Sequence, residues 1–199
     1  MPVAAVRYEN RTRYRLGVAS THLADRVATG DQVRVFVRPS HGLHLPASPD
    51  ALVIMIGPGT GIAPFRAFLQ ERLALGARRR NWLFFGNPRR SCDSLFEEEL
   101  TGYGDDGLLT RLDLAFSRDQ EGKVYVQHRF LEHAAELWSW LEEGPHLNIC
   151  GDAQRMAQDV EAGLCYIIAK EGRIDAAAAK AYLGRLARKS LKKTSTEPE

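Results

Sequence analysis

From residue 51 onward, short apolar runs alternate with longer stretches of helical spacing. Leu52 to Ile56 (LVIMI), Asn81 to Gly86 (NWLFFG), Arg111 to Ser117 (RLDLAFS) and His146 to Cys150 (HLNIC) have the length and content of strands buried on both faces. Between and after them, the spacing predicts helices over Pro64–Leu75, Ser94–Leu100, Phe130–Leu141, Ala153–Lys170 and Asp175–Leu186. Strands alternating with helices predict an α/β fold, a doubly wound parallel sheet. Before residue 51 the pattern differs. Val3–Tyr8 and Gln32–Val37 alternate in the strand manner, Thr21–Arg26 reads as a short helix, and His41-Gly42 marks a turn. Pro46-Ala-Ser-Pro-Asp50 breaks the pattern and marks a domain boundary.

Composition narrows the choice of partner. The chain has 199 residues, 44% of them apolar and 26% charged, with a net charge of +2. So slight a charge gives no reason to expect nucleic acid. No apolar run is long enough to span a bilayer, and Met1–Arg15 lacks a secretory core, so a cytoplasmic protein is expected. Cys92, Cys150 and Cys165 form no CxxC pair, and the His residues are scattered, so no metal site is expected.

In a parallel sheet, ligands bind beyond the carboxyl ends of the strands. The first run ends in Gly57-Pro58-Gly59-Thr60-Gly61, directly before a helix with Pro64 in its first turn. Alternating glycines allow close backbone approach, and a helix N-terminus favours an anion, so a pyrophosphate fits there. A plain tight turn is the competing reading. The third run ends in Ser117-Arg118-Asp119-Gln120-Glu121-Gly122-Lys123-Val124-Tyr125-Val126-Gln127. Arg and Lys suit the 2′-phosphate that distinguishes NADP from NAD, and the Tyr125 ring suits a purine. A solvated charged loop is the alternative. The fourth run ends in Cys150-Gly151-Asp152, where a helix cap and a structural Cys explain the residues equally well. Gly17-Val18-Ala19-Ser20 is a second small-residue turn before a helix, a weaker phosphate signal.

These segments together resemble the NADPH-dependent diflavin reductases, a branch of the ferredoxin–NADP reductase fold, and within it the sulfite reductase flavoproteins. The likeness extends to about Leu186 and is strongest in VIMIGPGTGIAPFRAFLQER, NWLFFGNP, LAFSRDQEGKVYVQ and CGDAQRMAQDVE. The resemblance implies that residues 1–48 are the last strands of an antiparallel FAD-binding β-barrel. It makes 49–188 the NADP-binding domain, and the polar composition of 189–199 predicts a disordered tail. It implies that Gly57, Gly59, Thr60 and Gly61 face the NADPH pyrophosphate. Ser117, Arg118, Lys123, Val124, Tyr125, Val126 and Gln127 would hold the 2′-phosphate and adenine, with Gly151 and Asp159 as further NADP contacts. Cys150 and Asp152 would stand at the reacting rings. Val3, Ala4, Tyr8, Gly17, Val18, Ala19 and Ser20 would contact FAD.

Two departures from the family pattern bear on function. Its Arg-x-Tyr-Ser segment has no counterpart here, and the last residues hold no aromatic to cover a flavin. The FAD half is therefore expected to be truncated or completed by another chain, and FMN to belong to a domain not included here. Three readings stay open. The chain passes hydride from NADPH to FAD, for onward transfer to FMN and a sulfite reductase haem subunit. Alternatively it binds NADP(H) without stable FAD. Or it serves another haem acceptor, of the cytochrome P450 or nitric-oxide synthase type.

Overall fold

The computed structural model describes residues 3–10, 12–37, 43–77, 80–151 and 156–191. The chain divides into two compact units, Met1–Pro39 and Ser40–Glu199.

The first unit contains β1 (Arg7–Asn10), β2 (Arg13–Leu16) and α1 (Val18–Asp25). The strands pair antiparallel, with Arg7 opposite Leu16 and Asn10 opposite Arg13. The strand expected over Val3–Tyr8 thus begins four residues later, where β2 offers a partner. Gln32–Val37 has strand-like alternation but no regular structure, and Val35 and Val37 are 81% and 92% exposed. Alternation selects a strand only when a neighbouring ladder and a buried face reward it.

The second unit is the predicted α/β sheet. Its strands are β3 (Val53–Ile56), β4 (Asn81–Asn87), β5 (Arg111–Phe116) and β6 (His146–Ile149), all parallel, in the order β5-β4-β3-β6. The chain steps outward from β3 to β5, then returns to the other side of β3. That reversal puts the switch point of the sheet between β3 and β6.

A 3₁₀ turn (Gly59–Gly61) leads into α2 (Ile62–Ala74), and α3 (Arg90–Asp93) and α4 (Glu97–Asp105) follow β4. Next come α5 (Val126–Glu132), α6 (Ala134–Glu142), α7 (Met156–Glu171) and α8 (Ala176–Leu191). Strand periodicity sorts the core into two layers. Ile54, Ile56, Trp82 and Phe84 pack with α5 to α8, while Val53, Met55, Leu83 and Phe85 pack with α2 and α4. Apolar side chains on both pleats explain why the strands read as continuous apolar runs.

Local chemistry moved two helix boundaries and anchors one loop. The helix expected over Phe130–Leu141 is two helices broken at His133. Its Nε2 lies 3.0 Å from the Asp113 carboxylate, which also accepts the Trp82 indole N–H at 2.6 Å. The helix expected from Ser94 begins instead at Glu97, after Phe96, which adopts a left-handed φ of 61°. Last, the Pro/Ser/Asp segment is fastened to its own unit. The buried Arg72 guanidinium of α2 donates to the carbonyls of Pro49 (3.1 Å) and Ala51 (2.9 Å). Burial holds that guanidinium below its usual pKa, and nearby Asp50 offsets part of the effect.

Candidate functional site

The carboxyl ends of the four strands form one rim, because ladder-type bonds continue past each strand. Gly57 N–H donates to the Phe84 carbonyl and Cys150 N–H to the Ile56 carbonyl, both at 2.9 Å. Ser117 N–H donates to Asn87 O (3.0 Å) and Arg118 N–H to Pro88 O (2.8 Å). Strand pairing alone therefore sets the loop after β5 beside the residues that leave β4.

The glycines of the turn after β3 serve different purposes. A Cβ on Gly57 would lie 2.6 Å from the Phe65 ring, and one on Gly61 would lie 2.1 Å from the Cys150 carbonyl oxygen. Those two positions are glycine because backbone and core close on them. Gly59 alone needs left-handed backbone, at φ 59°, and has open space beside it. Thr60 is exposed at the mouth of the turn.

A cleft of about 470 Å³ lies over the rim. Pro58 and Gly59 line it from β3, Gly86, Asn87 and Pro88 from β4, and Ala115 and Ser117 from β5. Tyr125, Val126 and Gln127 line it from the start of α5, and Asp159 from α7. It thus brings together Gly59, Ser117, Tyr125, Val126, Gln127 and Asp159 of the expected site. Gly57 and Gly61 are buried beneath it, while Arg118 and Lys123 stand exposed outside its lining. Val124 packs against the core instead. Asp152 lies outside the described residues.

Pro58, Gly86, Asn87, Pro88 and Ala115 are lining residues that sequence reasoning missed. The Gly-Asn-Pro that closes the second apolar run was the available signal, since Gly and Pro there mark a strand end. Gly86 is small for a reason, as a Cβ there would lie 3.0 Å from Val126. His128 was also missed. Its Nδ1 accepts the Tyr125 backbone N–H at 2.9 Å, and the two rings lie 5.9 Å apart, tilted by 31°.

The electrostatics suit an anion outside the cleft proper. Among the described residues no ion pair engages the Arg118 or Lys123 side chain, whereas Arg66, Arg80, Arg90, Arg111 and Arg129 each have a carboxylate partner. Cys150 is half-buried, and burial pushes its thiol above the ordinary value, so it is a neutral group beside the rim. Among the described residues no cluster of acids, His or Cys is placed to hold a metal, and no helix is long and apolar enough to cross a membrane.

In the first unit, the Gly17–Ser20 turn is closed by its own bonds. Gly17 N–H donates to Val6 O at 2.8 Å, and Ser20 Oγ accepts the Val6 N–H at 3.0 Å. Val3, Ala4, Tyr8, Val18 and Ala19 are exposed there.

A parallel sheet whose switch point carries a glycine turn, with a cleft at its carboxyl rim, defines a dinucleotide-binding oxidoreductase domain. The chain belongs to the oxidoreductase NAD-binding domain family, whose pattern matches residues 55–162. It is also similar to the "Sulfite reductase [NADPH] flavoprotein alpha-component" of Cronobacter sakazakii, with 55% identity over 184 residues. The same component of Klebsiella pneumoniae is 54% identical and that of Escherichia coli K12 is 53% identical. Each match covers 92% of this chain and 31% of the relative, so the chain spans about a third of the length of the curated relatives it matches.

Proposed function

We propose that this chain binds NADPH and orients its nicotinamide toward a flavin, as the NADPH end of a flavoprotein reductase of the sulfite reductase type. The observation that carries this reading is the cleft joining the glycine turn, the end of β5 and the start of α5. Its residues fit the cofactor. Gly59, the one turn glycine with open left-handed backbone, admits the pyrophosphate at the start of α2. Arg118 and Lys123, free of ion pairs, receive the 2′-phosphate, with Ser117 as a hydroxyl donor. Tyr125, held by His128, presents its ring to adenine, and Gln127 and Asp159 supply polar contacts at the edge.

Bound NADPH supplies the hydride and FAD receives it, so that chemistry belongs to the cofactors. The protein's part is orientation. Cys150, a neutral half-buried thiol at the switch point, offers a small polarisable wall for the nicotinamide, with the exposed Gly151 next to it. Val3, Ala4, Tyr8 and the Gly17–Ser20 turn are the FAD contacts. In this reading FMN and a haemoprotein partner would carry the electrons onward.

The Arg118→Ala/Lys123→Ala double variant tests the phosphate assignment. Each lost charge-assisted contact should cost roughly 1.5–3 kcal/mol of NADPH affinity and leave NADH affinity unchanged. Equal weakening of both cofactors in a calorimetric titration refutes it. One observation favours the reading without bound flavin: among the described residues, the strands of the first unit form a two-stranded sheet, exposed along its length. The absorption spectrum of the purified chain separates the two readings, since flavin absorbs visible light and NADP does not.

A further inference from the structure

Three charged groups border the loop after β5 without having been part of the NADP-site expectation: Arg89, Arg90 and Asp119. Their engagements differ. The Arg90 guanidinium is spent on Glu97, which keeps it more firmly protonated than a free arginine. The carboxylate of Asp119, the acid next to Arg118, accepts the Arg90 backbone N–H at 3.1 Å. That bond ties the only acid adjoining Arg118 to the start of α3. Arg89 has its backbone N–H fixed by the Asp93 carboxylate at 3.0 Å, while its side chain is exposed and meets no described partner.

The backbone sets Arg89 beside Arg118. Pro88, the residue immediately before Arg89, accepts the Arg118 N–H at 2.8 Å, and Asn87 accepts the Ser117 N–H at 3.0 Å. Asn87, Pro88 and Ser117 line the same cleft. The ends of β4 and β5 therefore run side by side, each delivering one unpaired arginine at the same level of the rim. Among the described residues, Arg89, Arg118 and Lys123 have no ion-pair partner, and the exposed acids are Glu121 in the loop and Asp159 in the cleft lining. A dianionic phosphate monoester is the ligand chemistry that two neighbouring guanidinium forks and an ammonium serve best.

We propose that Arg89 is a third cationic determinant of the 2′-phosphate site, so that two strand ends, rather than the single loop after β5, select NADPH over NADH. This inference rests on the 2′-phosphate reading of Arg118 and Lys123.

The test titrates the 199-residue chain with 2′,5′-ADP and with 5′-AMP, which differ by that phosphate alone. Wild type, Arg89→Gln and Arg118→Gln are compared at fixed ionic strength. Arg89→Gln is expected to weaken 2′,5′-ADP about tenfold and to leave 5′-AMP unchanged. Its 2′,5′-ADP affinity should also fall less steeply with added salt than that of wild type. If Arg118→Gln discriminates between the nucleotides and Arg89→Gln does not, Arg89 has no such role and the parent assignment stands. If neither variant discriminates, both fall. Arg89 is exposed and its side chain is unpaired, so equal thermal stability of variant and wild type is the accompanying control.

Discussion

The turn after β3 and the loop after β5 occupy equivalent places, each at the carboxyl end of a strand, yet they are built in opposite ways. The turn is closed from below: Phe65 occupies the space beside Gly57, and the Cys150 carbonyl occupies the space beside Gly61. The loop is open, with Arg118 and Lys123 exposed and without an ion pair among the described residues, while its backbone, Asp119 and Gln120 are anchored. In the proposed NADPH site, folding would therefore set the uncharged half and the ligand would order the charged half. This division follows from physics. A pyrophosphate bound through backbone N–H groups needs fixed geometry. Cations buried and fixed in advance would have been costly to desolvate without a partner.

The comparison fails if the turn tolerates side chains or if the loop carries stability. Gly61→Ala should produce the largest effect, a loss of roughly 3 kcal/mol or more in urea denaturation, because its Cβ would meet backbone. Gly59→Ala has open space but a left-handed φ, so about 1–2 kcal/mol is expected. A cost equal to that of Gly61→Ala would show that conformation, not packing, governs the turn.

A smaller effect tests the bracing of α2, the helix that the turn begins. Burial pushes the Glu99 carboxyl up, but hydrogen bonds from Arg66 (2.5 Å), Tyr103 (2.7 Å) and Gln70 (2.9 Å) outweigh burial and hold it below its ordinary value. Tyr103, the partner of Glu99, is pushed up to about 12 by burial and that bond. A depressed folded pKa contributes stability above the unfolded carboxylate value, and that contribution is lost as pH falls through the folded value. The thermal stability advantage of wild type over Glu99→Gln should therefore shrink with acidification. A difference that stays constant with pH would remove Glu99 as the brace. Smallest of all, Arg118→Ala should change stability by no more than about 0.5 kcal/mol while weakening NADPH binding.

What the sequence revealed, and what it concealed, divides along the same line. The four strands were legible because both pleats are buried, and apolar content alone marks such strands. The glycine turn and the loop after β5 were legible because glycine and charge are visible in one dimension. The purposes of the glycines were not: Gly61 is small on account of Cys150, which is distant in sequence. The break at His133 escaped notice because apolar spacing continues across it, while its cause, Asp113, lies on β5. Asn87 and Pro88 were missed as lining residues because strand pairing, which no local motif encodes, brings them against Ser117 and Arg118.

The clasp of Arg72 on the carbonyls of Pro49 and Ala51 has a consequence for recombining this unit with others. A chimaera joined upstream of Pro49 inherits both halves of the clasp and carries the entry to its sheet ready-made. A junction between Ala51 and Arg72 separates donor from acceptors and asks a foreign segment to satisfy a guanidinium with no access to water. The seam along which such modules can be exchanged is therefore fixed by one buried side chain, not by the visible Pro/Ser break.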